Sequence, residues 1–159
     1  MKVSQVFFRS TLWLSLGVWV GSWGFFAFVV SRLAFRVLPG NVAGDVAGQL
    51  LQTLHYGGAT LALVAAASAV ALGRRGWVVA LPLLLAAICV ASELLLSPEV
   101  AALRPSAMGA EATEAKSLRF KYLHALSLGT FLLVHVVSIG LIVLHARIDA
   151  RSMAEKSPG

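Results

Sequence analysis

Apolar residues form four long runs along the chain, separated by short polar segments. The runs cover residues 11–33, 46–72, 77–97 and 120–145. About 20 apolar helical residues cross the hydrocarbon of a bilayer, and each run reaches that length. The pattern predicts an all-α, polytopic integral membrane protein, built as one domain with a four-transmembrane-helix bundle.

The segments outside these runs are short. Residues 98–119 predict a helical loop at the membrane interface, and residues 147–159 a polar C-terminal tail. The first run follows two basic residues but is longer than the 7 to 15 residues typical of a signal peptide. We therefore expect it to remain attached and span the membrane.

The composition supports this interpretation and indicates which class of binding partner to expect. Hydrophobic residues make up 58% of the chain and charged residues 13%, against about 25% charged in soluble domains. The net charge is +6, but the Lys and Arg residues lie at helix ends, where they anchor spans to anionic headgroups. The expected partner is thus the lipid bilayer, and no nucleic acid.

Basic residues also bear on orientation, because cytoplasmic loops carry an excess of them. Four spans place both ends of the chain on one side of the membrane. That side has seven Lys and Arg residues and the other has six. This margin of one basic residue, with Arg74 and Arg75 in a tight turn, predicts that both termini are cytoplasmic. We expect the membrane to be a bacterial inner membrane.

Small residues form a stripe on the first span. Gly17, Gly21 and Gly24 lie within a narrow sector, and the first two form a GxxxG pattern. Small residues let helix backbones approach closely in lipid. We interpret the stripe as a helix-packing seam within the bundle. A homo-oligomer contact or a contact with a partner membrane subunit is the alternative.

Span four carries a polar stripe. It is formed by His124, Ser127, His135, Ser138 and His145. Unsatisfied polar groups are costly in hydrocarbon, so the stripe should face other helices or water. Ser127 and Ser138 are accordingly predicted to contribute to helix packing.

A polar cluster is expected around Glu93, near the end of span three. Ionisable groups within a span mark candidate functional sites. The predicted partner of Glu93 is His124, at similar depth, or else Arg104 or Arg119 from the loop, and His55 and Tyr56 lie in the same leaflet.

Three interpretations of this cluster remain open. It can be a structural ion pair, a proton or solute pathway, or a metal or haem site. The candidate metal ligands are His124, His135 and Glu93, although no ligand-spacing motif joins them.

Catalytic signals are lacking in the sequence. There is no GxSxG, HExxH, phosphate loop or dinucleotide fingerprint, and the single cysteine, Cys89, cannot form an internal disulfide. We do not predict an enzyme, and we expect no cofactor.

Four segments together resemble a known family. "WVGSWGFFAFVVSRLAFRVLP", "AGDVAGQLLQTLHY", "SELLLSPEVAALR" and "RFKYLHALS" resemble the transmembrane protein 205-like family, which is also filed as a bacterial domain of unknown function. The resemblance implies a small helical membrane protein without an established activity. A remoter similarity links the chain to four-helix membrane proteins of copper resistance and haem biosynthesis, but Leu12 stands where those proteins have a histidine.

These observations give one functional hypothesis and one alternative. The protein is interpreted as a non-enzymatic membrane component, either transporter-like, resistance-associated or an accessory part of a complex. The alternative is a metal- or haem-binding redox protein.

Overall fold

The computed structural model describes residues 3–103 and 114–154. These residues form four long helices: α1 (Val3–Val37), α2 (Gly40–Ala71), α3 (Trp77–Leu103) and α4 (Glu114–Ala154). Each contains a stretch apolar and long enough to cross a membrane, which confirms the predicted fold class. Arg104 lies outside the described residues.

The helices are longer than the apolar runs. α3 continues through Leu103, and α4 begins at Glu114, so both ends of the segment predicted as a helical loop, 98–119, are continuous with the spanning helices. α4 likewise continues through Ala154, into the expected polar tail. The four helices contain 35, 32, 27 and 41 residues, so they extend beyond the hydrocarbon or tilt within it.

The helices are arranged as a ring in which each one contacts its two neighbours. α1 packs against α2 and α4, and α3 also packs against α2 and α4. Short turns at residues 38–39 and 72–76 join successive antiparallel helices. In the second turn Gly73 and Gly76 have φ values of 75° and 73°, a conformation that favours glycine.

Two helices contain a single π-helical turn. One covers Phe26–Val30 in α1, and the other covers Ser92–Leu96 in α3. The second ends two residues before Pro98, which has no N–H to donate to the preceding turn of a regular helix. Ser92 and Glu93 lie in this turn, and both are buried.

Large side chains of α1 fill the core against small residues of α2. Trp19 and Trp23 are completely buried, and the facing part of α2 is rich in buried alanine. Gly58 of α2 supplies the closest approach, because a Cβ atom there would lie 2.9 Å from Trp19 Nε1 and 3.2 Å from Trp23 Nε1. The two indoles therefore require a glycine at this position.

The glycine stripe of α1 lies on the other side of that helix. Gly17 and Gly21 are exposed, and a Cβ atom at either would meet nothing within 4 Å. The predicted packing seam within the bundle is therefore wrong for these two residues, because the indole face of α1 fills the core instead. Gly24 is partly buried, 3.7 Å from the ring of His135.

We predict that Gly58→Ala destabilises the protein, whereas Gly57→Ala does not. The new methyl group at position 58 must displace a fully buried indole, and such overpacking costs about 1 to 3 kcal/mol. At position 57 the space is open, and replacing glycine within a helix gains up to about 1 kcal/mol. Thermal unfolding of both variants in detergent measures the difference. Equal stability of the two variants would contradict this account of the α1–α2 interface.

Candidate functional site

Glu93 pairs with His55 rather than with the predicted His124. The distance from His55 Nδ1 to Glu93 Oε2 is 2.9 Å, and the two side chains are 1% and 4% exposed. We call these two residues the acid–histidine pair. Ser97 Oγ also donates to Glu93 Oε2, at 3.0 Å. The pair joins α2 to α3 in the interior of the bundle.

The π-helical turn and the helix register position this pair. Ser97 lies four residues after Glu93, so its hydroxyl reaches the carboxylate from the next turn of α3. On α2, His55 and Gly58 share the inward face, being three residues apart. The same face of α2 therefore presents the imidazole to Glu93 and leaves space for the indoles of α1.

Aromatic rings continue from the pair across the bundle. The Trp23 ring packs edge to face with the His55 ring, with centroids 5.7 Å apart. Trp23 also stacks on Phe131 of α4 at 4.6 Å, and Phe131 stacks against His135 at 6.4 Å. Residues from all four helices therefore form one connected polar and aromatic core.

Several polar atoms near this core have no hydrogen-bond partner. Within the described part of the chain, the unpartnered buried atoms include Trp19 Nε1, His55 Nε2, Ser92 Oγ and His135 Nδ1. Trp23 Nε1, by contrast, donates to the carbonyl of Leu54 at 3.3 Å. Unsatisfied polar groups are expensive in a membrane interior, so these atoms are candidate positions for binding water or a small solute, and the two imidazole nitrogens are also candidate positions for a proton.

The other described residues that were predicted for the polar cluster lie elsewhere. His124 is exposed and stacks on Phe120 of its own helix, with ring centroids 5.5 Å apart. Tyr56 is 46% exposed, and Arg119 forms an exposed ion pair with Glu99 at 2.7 Å. Among the described members of the predicted cluster, the structure thus brings together only His55 and Glu93.

The polar stripe of α4 is buried apart from His124. Ser127, His135, Ser138 and His145 are all less than 9% exposed. Ser138 Oγ donates to the carbonyl of His135 on the same helix, so its hydroxyl does not link two helices. The stripe faces neighbouring helices, as its spacing indicated.

The three candidate metal ligands do not converge. His124 and His135 are 11 residues apart on one helix, which corresponds to about 16 Å along its axis, and Glu93 is paired with His55. Across residues 3–103 and 114–154, no group of three or more His, Cys, Asp or Glu side chains is arranged to hold a metal ion.

A second polar cluster lies at the end of the bundle that contains the α2–α3 turn. We call it the turn-side cluster, and it consists of Arg9, Trp13, Arg74, His145 and Asp149. Asp149 accepts hydrogen bonds from Trp13 Nε1 at 3.2 Å and from Arg74, and it forms an ion pair with Arg9 at 3.3 Å. Sequence reasoning did not identify this cluster, although Asp149 follows His145 by four residues on one helix face.

Arg74 is the centre of the turn-side cluster. Its side chain is 7% exposed, and it donates both to Asp149 and to His145 Nδ1. Burial lowers the pKa of the Arg74 guanidinium from its usual value, and the neighbouring Asp149 carboxylate opposes this shift. Since the pKa of arginine is normally far above neutrality, Arg74 stays charged, and His145 must accept its hydrogen bond as a neutral imidazole.

The fold and the site define a helical integral membrane protein of four spans with a buried acid–histidine pair. The chain belongs to the family described as "Domain of unknown function (DUF4149)", whose profile matches residues 14–109. The matched segment contains both members of the pair and ends before α4 begins. No curated protein and no solved structure matches the chain.

We predict that His55 and Glu93 are energetically coupled. Glu93→Leu and His55→Leu should each lower the free energy of unfolding by about 3 to 5 kcal/mol, because each leaves a buried polar partner unpaired. The double variant should lose much less than the sum of the single losses. Equilibrium unfolding in mixed detergent micelles measures all three. His124→Leu is the matched control, expected within about 0.5 kcal/mol of wild type because that side chain is exposed. Additive losses at positions 55 and 93 would contradict the coupling.

We further predict that Asp149→Asn destabilises the bundle by about 3 kcal/mol. The substitution removes the carboxylate that compensates the buried Arg74 guanidinium. Glu99→Gln, which breaks the exposed pair with Arg119, should cost no more than about 1 kcal/mol. Thermal unfolding of both variants measures the two losses of stability. If they are similar, the turn-side cluster does not stabilise the packing of the helices.

Proposed function

We propose that the protein is a non-enzymatic, transporter-like component of the membrane, in which the acid–histidine pair binds and releases a proton. The observation that carries the proposal is the contact of His55 Nδ1 with Glu93 Oε2, with both side chains almost fully buried. Within a span, such groups are typical of proton relays.

The chemistry of the pair suits this role. A proton between His55 and Glu93 can reside on the imidazole, giving an ion pair, or on the carboxyl group, giving a neutral pair. His55 Nε2 is buried without a partner, so the imidazole has a second position at which a proton can enter or leave.

The surroundings of the pair favour exchange over a purely structural role. Around it, α1 contributes the aromatic ring of Trp23, and α3 contributes the hydroxyl of Ser97. On α4 the ionisable group of this core is His135, which connects to the pair through Phe131 and Trp23 rather than directly. Ser92, next to Glu93 in the π-helical turn, has a buried hydroxyl without a partner. Such turns interrupt regular helices, frequently at functional sites.

Other parts of the proposal rest on the sequence. The one-residue margin of Lys and Arg on the side of the termini, with Arg74 and Arg75 in a tight turn, supports a bacterial inner-membrane location with cytoplasmic termini. The resemblance to the transmembrane protein 205-like family implies no particular solute. We also propose that the protein works without a bound cofactor. Contact with a second copy or a partner subunit is supported by the open outer face of α1 at Gly17 and Gly21.

We predict that Glu93→Gln abolishes proton movement through the reconstituted protein. A pH-sensitive dye is trapped inside the liposomes, and a potassium diffusion potential is applied across their membrane to drive protons inward. The rate at which the interior acidifies is then measured. Wild type should exceed protein-free liposomes, whereas Glu93→Gln should match them, because an amide cannot take up the proton. His124→Gln, at an exposed histidine of the same protein, is the matched control and should behave as wild type.

The same preparations separate this proposal from the alternatives. If wild type moves protons no faster than protein-free liposomes, the pair has only the structural role of joining α2 to α3. A Soret band or stoichiometric metal in the purified protein, lost in Glu93→Gln, would favour the redox interpretation. Each variant must first show an unchanged elution profile in gel filtration, so that loss of flux is not loss of fold.

A further inference from the structure

A basic pocket opens at the end of the bundle that contains the α2–α3 turn. Its volume is about 360 Å³, and it lies between the start of α1, the α2–α3 turn and the end of α4. Its polar lining is formed by Gln5, Arg9, Arg74, Arg75, Asp149 and Ser152. Three of these residues are arginines, so the pocket is suited to an anion.

The charges in the pocket are not balanced by its own residues. Among the described residues that line it, Asp149 is the single carboxylate, and it already interacts with Arg9, Arg74 and Trp13. Three guanidinium groups against one carboxylate leave two positive charges in excess. Arg9 Nε is buried without a partner, and Arg75 is exposed, so donors remain available for a phosphate group.

An apolar groove continues from this pocket along the lipid-facing side of the bundle. It has a volume of about 530 Å³, and the residues that it shares with the pocket are Gly73, Arg74 and Arg75. Beyond them it is lined by Val70, Val79, Ala80 and Leu83, on facing turns of α2 and α3. A ligand with a charged head and an apolar tail can occupy both spaces at once.

The depth of the pocket also fits a lipid headgroup. Trp77, the first residue of α3, is 73% exposed, as expected for an indole at the membrane–water interface. Arg75 lies two residues earlier, at the junction of pocket and groove. The arginines are therefore at the level of phospholipid phosphates, with the groove directed toward the acyl chains.

We propose that this pocket and groove bind one anionic phospholipid. Its phosphate contacts Arg9 and Arg75, and an acyl chain lies along Val79, Ala80 and Leu83. Arg74 holds the turn in position through Asp149 and His145 and is not free for the ligand. A free phosphate fits the basic pocket alone, whereas a phospholipid explains both the pocket and the adjoining groove.

The test is a lipid titration of the purified protein in detergent, with bound molecules counted by native mass spectrometry. The probes are phosphatidylglycerol and phosphatidylcholine with identical acyl chains. We expect one phosphatidylglycerol per chain, bound more tightly than phosphatidylcholine. Arg75→Gln should weaken phosphatidylglycerol binding about fivefold, as expected for one arginine at an anionic surface. Arg147→Gln is the matched control, since it removes the same charge from an exposed position outside the pocket.

Two further measurements distinguish a phospholipid from a free anion. Ala80→Phe fills the groove at an exposed position and should weaken phospholipid binding without changing thermal stability. Inorganic phosphate and glycerophosphoglycerol should not displace the lipid at equal concentration. The proposal is overturned if Arg147→Gln weakens binding as much as Arg75→Gln, if the two lipids bind equally, or if the soluble phosphates compete as well as the lipid.

Discussion

A carboxylate within hydrocarbon needs a partner from the protein, and the arrangement of this bundle depends on that constraint. Glu93 obtains its partners from His55 on the neighbouring helix and from Ser97 on its own. For His55 to reach it, α2 and α3 must pack in register at this depth. The edge-to-face contact of Trp23 then covers the imidazole from α1, and Phe131 extends the contact to α4. Direct contacts therefore link the buried acid, through His55, Trp23 and Phe131, to all four helices.

The two polar clusters differ in how their charges are balanced. The acid–histidine pair contains one potential anion and one potential cation, and it is almost completely buried. The turn-side cluster has more positive than negative groups, and Arg9 remains 33% exposed there. Excess charge can be tolerated near headgroups and water but not in the interior. The first cluster thus suits an exchangeable proton, and the second suits an external anion.

The sequence was sufficient for the spans but not for the contacts between them. Hydropathy depends on the local composition of one helix, so the four spans and the buried stripe of α4 could be predicted. The partner of Glu93 could not, because spacing ranks residues by depth and face without saying which helix is adjacent. His124 has the right depth but is exposed, whereas His55 lies on the helix that packs beside Glu93. The arginine–aspartate network of the turn-side cluster also joins residues more than 70 positions apart, which no local pattern reveals.

The glycine stripe of α1 likewise did not predict which face of that helix packs into the core. Gly17 and Gly21 are capable of close helix packing, but so is the opposite face if the neighbouring helix has small residues. α2 provides them, with Gly58 beneath the two indoles and buried alanines along the same interface. Which face of α1 is buried is therefore decided by residues about 40 positions away in the chain, and it could not be read from α1 alone.

Stability alone does not explain an acid at position 93. Replacing a buried ion pair by well-packed apolar residues is often neutral or stabilising, because desolvation offsets most of the attraction between the charges. Leucines and alanines of α2 and α3 already belong to the apolar core, so a further apolar contact would also hold these helices together. His55 Nε2 in the pair and Ser92 Oγ beside it have no hydrogen-bond partners, and a purely structural contact does not require such unpaired groups. An acid and a histidine placed together at this cost therefore support the proposal made above, in which the two side chains bind and release a proton.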